Sequence, residues 1–330
     1  MSDFNRNSKR KNRTPVYMNF VSEGVLTMDD SAKKISKMSV LSMKDETIIN
    51  KKMFKSNLVY SIIIGICIAM IVIGLLMEAW YIYDVNKTAS SLRGIADTYV
   101  STVAVTQPED ENKTEFDDSL YPPIVDFEGL QSMNSDVSAW LRIPETSVDY
   151  PVMSSSWQDQ YLNTDLYGNY SISGSIFTDF ENSSNINEDS HIIIYGHHMI
   201  APIMFHDVSY YDDYDFFMSH RTAYLETPET TYKLRAIGSY IAEPSEYMVR
   251  QAQFGNEEDF QQYLDGRLER CDVIYEDDIN RPTTDKLVTL VTCTATGAAR
   301  LVVEFAVEET YPTSEIPDVL AYAASMQQES

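Results

Sequence analysis

The stretch that decides the fold covers residues 287–305 and reads LVTLVTCTATGAARLVVEF. Two runs of aliphatic and β-branched residues, Leu287–Val291 and Leu301–Phe305, flank a short polar segment. Runs of this kind, bounded by turn residues, are typical of β-strands. The stretch therefore predicts two adjacent buried strands, with Cys293 ending the first and Arg300 opening the second.

The same strand pattern recurs upstream. Further short runs lie at Trp140–Ile143, Val148–Tyr150, Gly174–Phe177, Ile192–Tyr195 and Thr231–Ile237. One helical segment, residues 257–268, interrupts them, because Phe260, Leu264 and Leu268 recur at four-residue intervals on one face. Asp126 is placed to cap a short helix that carries Phe127 and Leu130. Many short strands with one inserted helix predict a mostly β fold, a closed or nearly closed barrel.

A membrane span is predicted at the other end of the chain. Residues 58–77, LVYSIIIGICIAMIVIGLLM, contain no charged side chain. A helix of about 20 such residues spans about 30 Å, the hydrocarbon thickness of a bilayer. Trp80, Tyr81 and Tyr83 follow at the place of an interfacial aromatic belt, where a signal peptide would have a small-residue cleavage site. The alternatives, a buried core helix or a cleaved signal, fit the sequence less well.

Charge orients the span and excludes one class of partner. Residues 1–55 carry 12 Lys and Arg against 6 Asp and Glu, a net of +6; the whole chain has −25, which leaves −31 for the rest. Lys51, Lys52 and Lys55 precede the span and Glu78 and Asp84 follow it. The positive-inside rule then places the N-terminus in the cytoplasm and residues 84–330 outside. So acidic an exported part repels nucleic-acid phosphates, and we expect no nucleic-acid partner.

Two of the three cysteines lie in the exported part. Cys271 and Cys293 form a structural disulfide, or Cys293 is a free nucleophile. The second interpretation is favoured by Arg300, because a guanidinium near the sulfur stabilises the reactive thiolate and can also bind a developing oxyanion. Cys67 lies inside the span, where we expect only packing.

A cysteine nucleophile needs an acid/base partner. His197 and His198 follow a predicted strand and Gly196, in a turn that can present an imidazole from a rigid scaffold. Neighbouring side chains of a strand point to opposite faces, so the two histidines do not predict a shared metal ion. The remaining histidines, His191, His206 and His220, are interpreted as ordinary residues in loops.

In these motifs the chain resembles the sortases, the cysteine transpeptidases of Gram-positive bacteria, and among them class B. The family's signatures are matched by residues 289–293, TLVTC, followed by Arg300, and by Gly196-His197 upstream. Similar sequence also occurs at Val125–Phe127, Tyr150–Val152, Tyr161-Leu162 and Gly174–Phe177, so that the resemblance covers roughly residues 122–308. Two departures are Val291, where class B often has Ser, and a short loop of six residues between Cys293 and Arg300.

The resemblance implies a barrel of about eight strands with an N-terminal helix and an inserted helix, preceded by one transmembrane helix. It implies that Cys293 attacks the Thr carbonyl of a C-terminal sorting signal on a secreted protein and forms a thioester. His197 then acts as the acid/base and Arg300 holds the substrate and the oxyanion, with help from the backbone at Thr292 and Thr294. An amine of peptidoglycan or of a pilin lysine releases the product, and neither a cofactor nor a metal is expected.

The domain organisation follows from these assignments. We expect a basic, largely disordered cytoplasmic tail at residues 1–57, a transmembrane helix at 58–83, an extracytoplasmic linker at 84–121, the catalytic domain at 122–312 and a C-terminal tail at 313–330. Two alternatives stay open from the sequence. One is an exported structural or adhesive barrel with a Cys271–Cys293 disulfide, and the other is a cysteine peptidase that only hydrolyses.

Overall fold

The computed structural model describes residues 28–101, 118–243, 250–274, 284–294 and 299–329. They divide into two compact units, with the division between Leu75 and Leu76. The first unit is the N-terminal part of one long helix, α1, which spans Met28–Tyr99. An 18-residue window of α1 has a mean hydropathy of 2.8 and is entirely unburied. Within the described residues α1 is the one helix long and apolar enough to cross a membrane, and it is a candidate span.

The second unit is built on a β-barrel. Its strands are β1 (Val100–Ser101), β2 (Ile124–Val125), β3 (Val137–Arg142), β4 (Asp149–Met153), β5 (Ile176–Thr178), β6 (His191–Tyr195), β7 (Thr222–Glu226), β8 (Thr230–Ala242), β9 (Val273–Ile274), β10 (Leu287–Cys293) and β11 (Arg300–Pro312). The other helices are α2 (Phe127–Met133), α3 (Tyr214–Ser219), α4 (Glu257–Leu268) and α5 (Ile316–Glu329). Short 3-10 helices lie at Asp118–Leu120, Ile186–Glu188, Asp207–Tyr210 and Thr313–Glu315.

Eight strands close the barrel. Their order is β11-β10-β6-β5-β4-β3-β7-β8, and β8 pairs back onto β11 over twelve antiparallel positions. β6 and β10 are parallel, with Tyr195 beside Val291. β9 pairs with β8 at Gly238 and Ser239, and β1 pairs with β2 in a separate two-stranded sheet. All seven strands predicted from the sequence are present, and the predicted eight-stranded barrel with its N-terminal and inserted helices is confirmed.

The two short helices predicted from the sequence are both present. Asp126 caps α2 by accepting a hydrogen bond from the Gly129 N–H at 3.0 Å, and Phe127 and Leu130 are buried. Asn256 caps α4, and its Oδ1 accepts from the Asp259 N–H at 2.9 Å. Phe260 and Leu264 of α4 are buried in one cluster with residues of β8, β10 and β11. α4 therefore lies on the outer face of the strands that carry the predicted nucleophile.

The last part of α1 is fixed to the barrel. Val85 and Ile95 are buried, and the Asp84 carboxylate accepts a hydrogen bond from the Ile172 N–H at 2.9 Å. The hydroxyls of Thr88 and Ser171 are 3.1 Å apart. Residues 84–99, which fall within the predicted linker, therefore belong to the folded unit.

The N-terminal part of α1 differs from the sequence expectation. Residues 28–57 are helical where a largely disordered tail is expected, because the chain there contains neither Gly nor Pro and runs without a break into the apolar segment. Residues 1–27 and the acidic stretch 107–112 lie outside the described residues. The predicted domain boundaries stay predictions.

A polar network is buried between α4 and the barrel. Glu304 of β11 pairs with Arg267 of α4, and the Thr289 hydroxyl oxygen lies 2.5 Å from the Glu304 carboxylate. His191 Nε2 lies 2.6 Å from the Thr289 hydroxyl, and His191 Nδ1 donates to the Gln251 carbonyl at 2.8 Å. The interpretation of His191 as a loop residue is wrong: it opens β6 and is fully buried. Burial and, less strongly, the Arg267 charge lower the pKa of His191 to about 3.

Candidate active site

The hairpin of β10 and β11 brings the predicted nucleophile and the predicted guanidinium together. Cys293 and Arg300 are register partners in this antiparallel pair. Directly opposed residues have Cβ atoms about 5 Å apart and side chains on the same face. Side chains alternate along β10, so Cys293 lies on the same face as Val291 and Thr289. This is the outer face of the barrel, which α4 covers near the start of β10. Arg300 is half-buried, and its Nη1 donates to the Ala299 carbonyl at 3.4 Å. The loop at residues 295–298 lies outside the described part.

The predicted histidine stands at the end of the neighbouring strand. The Gly196 N–H donates to the Val291 carbonyl at 3.2 Å, which extends the pairing of β6 with β10 by one residue. On the other side of Gly196, a Cβ atom would come within 2.6 Å of the Phe205 ring. Glycine is required here because the chain passes this ring closely, and His197 follows directly at the rim of the barrel.

The imidazole of His197 is held by a backbone carbonyl. Its Nε2 lies 2.8 Å from the Leu162 oxygen. Since a carbonyl only accepts, Nε2 carries the proton and Nδ1 is the basic nitrogen of the neutral ring. Burial lowers the pKa of His197, and the charge of Arg300 lowers it further, whereas the bond to Leu162 acts in the opposite direction. These effects favour a neutral imidazole in the resting site.

His198 is directed elsewhere. Its ring centroid lies 5.9 Å from that of His206, and its backbone bridges to Met204. His197 lines a cleft together with Cys293 and Arg300, and His198 is not among the residues that line it.

The threonines on both sides of Cys293 are engaged in the scaffold. Thr292 is buried, and its hydroxyl donates to the Gly196 carbonyl at 3.0 Å. The Thr294 N–H, predicted as an oxyanion donor, donates to the Ala299 carbonyl at 3.0 Å. In this conformation the Thr294 N–H is therefore committed to the hairpin and is not directed at a substrate.

Cys271 does not reach the nucleophile. All three cysteines are free thiols, so the alternative with a Cys271–Cys293 disulfide is not what the structure contains. The Cys271 thiol donates to the Arg267 carbonyl at 3.5 Å and packs against Gly238, where a Cβ would lie 2.4 Å from the sulfur. Burial and the nearby Glu304 raise the pKa of Cys271, which makes it an unreactive thiol.

The cleft that contains Cys293, His197 and Arg300 is open and has a volume of about 250 Å³. Leu162, Phe177 and Tyr195 provide apolar surface, and Gln158, Asp159, Glu243 and Arg250 add polar groups. The Tyr195 hydroxyl donates to Asp179 at 2.8 Å, and Arg250 Nε lies 3.8 Å from the same carboxylate. Among the described residues no group of three or more His, Cys, Asp and Glu is arranged to hold a metal ion.

Sequence reasoning missed the part of the cleft that comes from loops. In the sequence, Leu162 belongs only to the family resemblance, and Asp159 and Glu243 stand in no motif. Arg250 follows a segment outside the described residues, and its neighbours in sequence form no pattern that points to a cleft. Their positions depend on tertiary contacts, and a single sequence carries no signal for them.

The chain is similar in sequence to known proteins. A sequence model of the Sortase domain matches residues 141–307, which is about half of the chain. The chain belongs to the sortase family. Two similar curated proteins are the sortase B of Staphylococcus aureus, 33% identical over 51% of this chain and 67% of that protein, and the sortase B of Listeria monocytogenes, 28% identical over 70% and 89%.

A solved structure extends the similarity to three dimensions. The crystal structure of Staphylococcus aureus sortase B superposes with a TM-score of 0.50 at 28% identity and covers 56% of this chain and 86% of that one. The chain is thus a sortase of class B, and sortases of this family are cysteine transpeptidases.

Proposed function

We propose that Cys293 is the nucleophile of this sortase, that His197 is its acid/base and that Arg300 binds the substrate carbonyl and the oxyanion. The observation that carries the proposal is the opposition of Cys293 and Arg300 across the β10–β11 hairpin, in one cleft with His197. A planar cation beside the sulfur stabilises negative charge on the sulfur and on the oxygen that becomes negative when the carbonyl is attacked. Arg300 is therefore the residue assigned to donate hydrogen bonds to the oxyanion.

The reaction then follows from the groups in the cleft. The Cys293 proton passes to Nδ1 of His197, and the thiolate attacks the carbonyl carbon of Thr in the sorting signal. The C–N bond breaks as His197 returns the proton to the leaving amine, which gives a thioester on Cys293. An incoming amine loses a proton to His197 and attacks the thioester. The C–S bond breaks, a new amide forms, and the sulfur regains its proton.

The apolar part of α1 is the proposed membrane anchor. The excess of Lys before the span and of acidic residues after it supports a cytoplasmic N-terminus and an extracellular catalytic unit, attached to the cell membrane by a single pass. A sorting substrate held in the same membrane meets the enzyme at a raised effective concentration. The proposed partners are therefore secreted proteins with a C-terminal sorting signal and, as the second substrate, an amine of peptidoglycan or a pilin lysine.

The test uses the full chain in detergent micelles and a library of quenched fluorescent peptides that contain five-residue motifs with Thr. We expect cleavage after Thr and, when a peptide with a free N-terminal amine or a lysine peptide is added, a new amide product found by mass spectrometry. Cys293→Ala serves as the inactive control. Cleavage whose only product is the free acid at every amine concentration indicates the rival function, a hydrolytic cysteine peptidase. Cleavage by Cys293→Ala excludes the assigned nucleophile.

A further inference from the structure

The carbonyl that holds His197 belongs to a loop with an unusual constraint. The loop runs from Tyr161 to Ser175 and returns on itself, so that the Ser175 N–H donates to the Tyr161 carbonyl at 3.0 Å. At Gly174 the backbone φ is +59°, and a Cβ atom there would lie 2.2 Å from the Leu162 oxygen and 2.6 Å from the Tyr161 oxygen. A Cβ atom essentially never comes within 3.0 Å of another atom, so any side chain at this position displaces the Leu162 carbonyl.

The Leu162 carbonyl is also the acceptor for His197 Nε2, at 2.8 Å. One backbone oxygen therefore has the imidazole on one side and the bare Cα of Gly174 on the other. We propose that Gly174 is a positioning residue for catalysis: its missing side chain leaves room for the Leu162 carbonyl, which fixes the tautomer and the orientation of the His197 ring. The inference rests on the proposed function, in which His197 Nδ1 exchanges the proton.

The loop is anchored at its other end by α1. Asp84 accepts from the Ile172 N–H at 2.9 Å, and Thr88 shares a hydrogen bond with Ser171. The Gly174 N–H donates to the Ser171 carbonyl at 3.3 Å, although the bond is long. The position of the Leu162 carbonyl is thus set by the loop and by the helix that leads out of the proposed membrane span. The orientation of the His197 imidazole therefore depends on this loop and on α1, which are not strands of the barrel.

A matched control exists in the same loop. Gly168 also has a positive φ, +79°, but a Cβ there has nothing within 4 Å. Alanine at either position introduces backbone strain in the left-handed region, and only alanine at 174 displaces the carbonyl. The difference between the two variants therefore isolates the contact with Leu162 from the strain.

The kinetic arm compares Gly174→Ala and Gly168→Ala in the full chain, with a cleavable peptide and with alkylation of Cys293 by iodoacetamide. A displacement of about 1 Å in a catalytic group can cost on the order of a hundredfold in rate. We expect Gly174→Ala to lose at least about tenfold in kcat, and Gly168→Ala to stay within about twofold of wild type. Equal losses in both variants, or full activity in a folded Gly174→Ala, would overturn the proposal.

The spectroscopic arm does not depend on activity, and the measurement itself is made on the wild-type chain. The full chain is labelled with ¹⁵N-histidine, and the five histidines are assigned with single His→Gln variants. We expect the His197 signals of wild type to show a protonated Nε2 and an unprotonated Nδ1 at neutral pH. A proton on Nδ1 instead would refute the positioning role. A fully active His197→Ala would refute the proposed function and leave this tautomer measurement unaffected, so the two failures are distinguishable.

Discussion

Thr292 donates a hydrogen bond from its hydroxyl to the Gly196 carbonyl at 3.0 Å. This bond ties the residue before the proposed nucleophile to the residue before the proposed acid/base. It crosses from β10 to the end of β6, and the side chain that makes it is buried. The backbones of the two reacting residues are thereby tied to adjacent strands, which favours a rigid site.

We expect Thr292→Val to lower kcat by about tenfold, since the end of β6 can then shift relative to Cys293. The free energy of unfolding should fall by only about 1 kcal/mol, the usual net contribution of one hydrogen bond. Thr292→Ser keeps the hydroxyl and is the matched control, for which near-normal turnover is expected. If Val and Ser have the same effect on rate, the hydroxyl does not contribute to catalysis.

The two cysteines of the barrel should differ sharply in reactivity. We expect iodoacetamide to modify Cys293 and to spare Cys271, whose pKa is raised by burial and by Glu304. Peptide mapping by mass spectrometry of the full chain separates the three cysteines. Cys293→Ala should abolish turnover with little loss of stability, whereas Cys271→Ala should remain active. Active protein that contains a Cys271–Cys293 disulfide contradicts this prediction.

Alanine at each of the neighbouring histidines separates their roles. His197 lines the cleft and its Nδ1 is the unprotonated nitrogen, while His198 packs towards His206. We expect His197→Ala to lose about a hundredfold or more in turnover, the usual range for a general acid/base, and His198→Ala to keep most of it. Steady-state rates on one cleavable peptide decide the matter. An inactive His198→Ala beside an active His197→Ala would show that the assignment is displaced by one residue.

The sequence predicted most of the barrel because its strands have the required alternation and its turns the required residues. β7 is not among the strands predicted from the sequence, and its last residue, Glu226, shows why: this carboxyl group is fully buried, and burial raises its pKa to about 8. An acidic residue in a sequence predicts a solvent-exposed position, whereas the Glu226 carboxyl group is buried in a mostly protonated form. The burial of three further polar residues is equally unpredictable from the sequence, because it depends on partners from distant segments: His191, Arg267 and Glu304.

The site was predicted unevenly for a related reason. Cys293, Arg300 and His197 lie on or beside regular strands, so motif and register specify their neighbourhood. Leu162 and Gly174 come from a loop of irregular backbone, whose conformation is set by contacts with α1 and the barrel. Secondary-structure propensities describe such loops poorly, because the conformation of each residue there depends on a tertiary contact and not on a repeating pattern.

The buried His191 predicts a pH dependence of stability. Its pKa in the folded chain, about 3, lies below its ordinary value of about 6.5, so between these values the unfolded chain binds more protons. This contribution is fully present above about pH 6.5 and is lost as the pH falls, at up to about 1.4 kcal/mol per pH unit. The free energy of unfolding, measured with urea, should fall between pH 7 and pH 5 in wild type. We expect a smaller fall over the same range in His191→Gln. Parallel losses in the two proteins contradict the assignment.

Substitution of Arg300 tests the part of the proposal that depends on a single side chain. If its guanidinium binds the substrate carbonyl and the oxyanion together, lysine is a poor replacement, because an ammonium lacks the paired planar donors. The loss of one oxyanion donor costs on the order of a hundredfold or more in rate, about 3 kcal/mol. We expect both Arg300→Lys and Arg300→Ala to lose most of the turnover while Cys293 still reacts with iodoacetamide.

Arg250 is the matched comparison for Arg300. It lines the same cleft, but its Nε lies 3.8 Å from the Asp179 carboxylate, to which Tyr195 also donates, so its charge is partly engaged by the scaffold. A guanidinium whose charge is partly engaged by a carboxylate contributes less to a developing oxyanion than Arg300, which forms no salt bridge with a described residue. We therefore expect Arg250→Ala to affect KM more than kcat, and Arg300→Ala to affect kcat. The assignment is contradicted if Arg300→Ala keeps a near-normal kcat while Arg250→Ala loses about a hundredfold in kcat. Arg250 would then be the residue that binds the oxyanion.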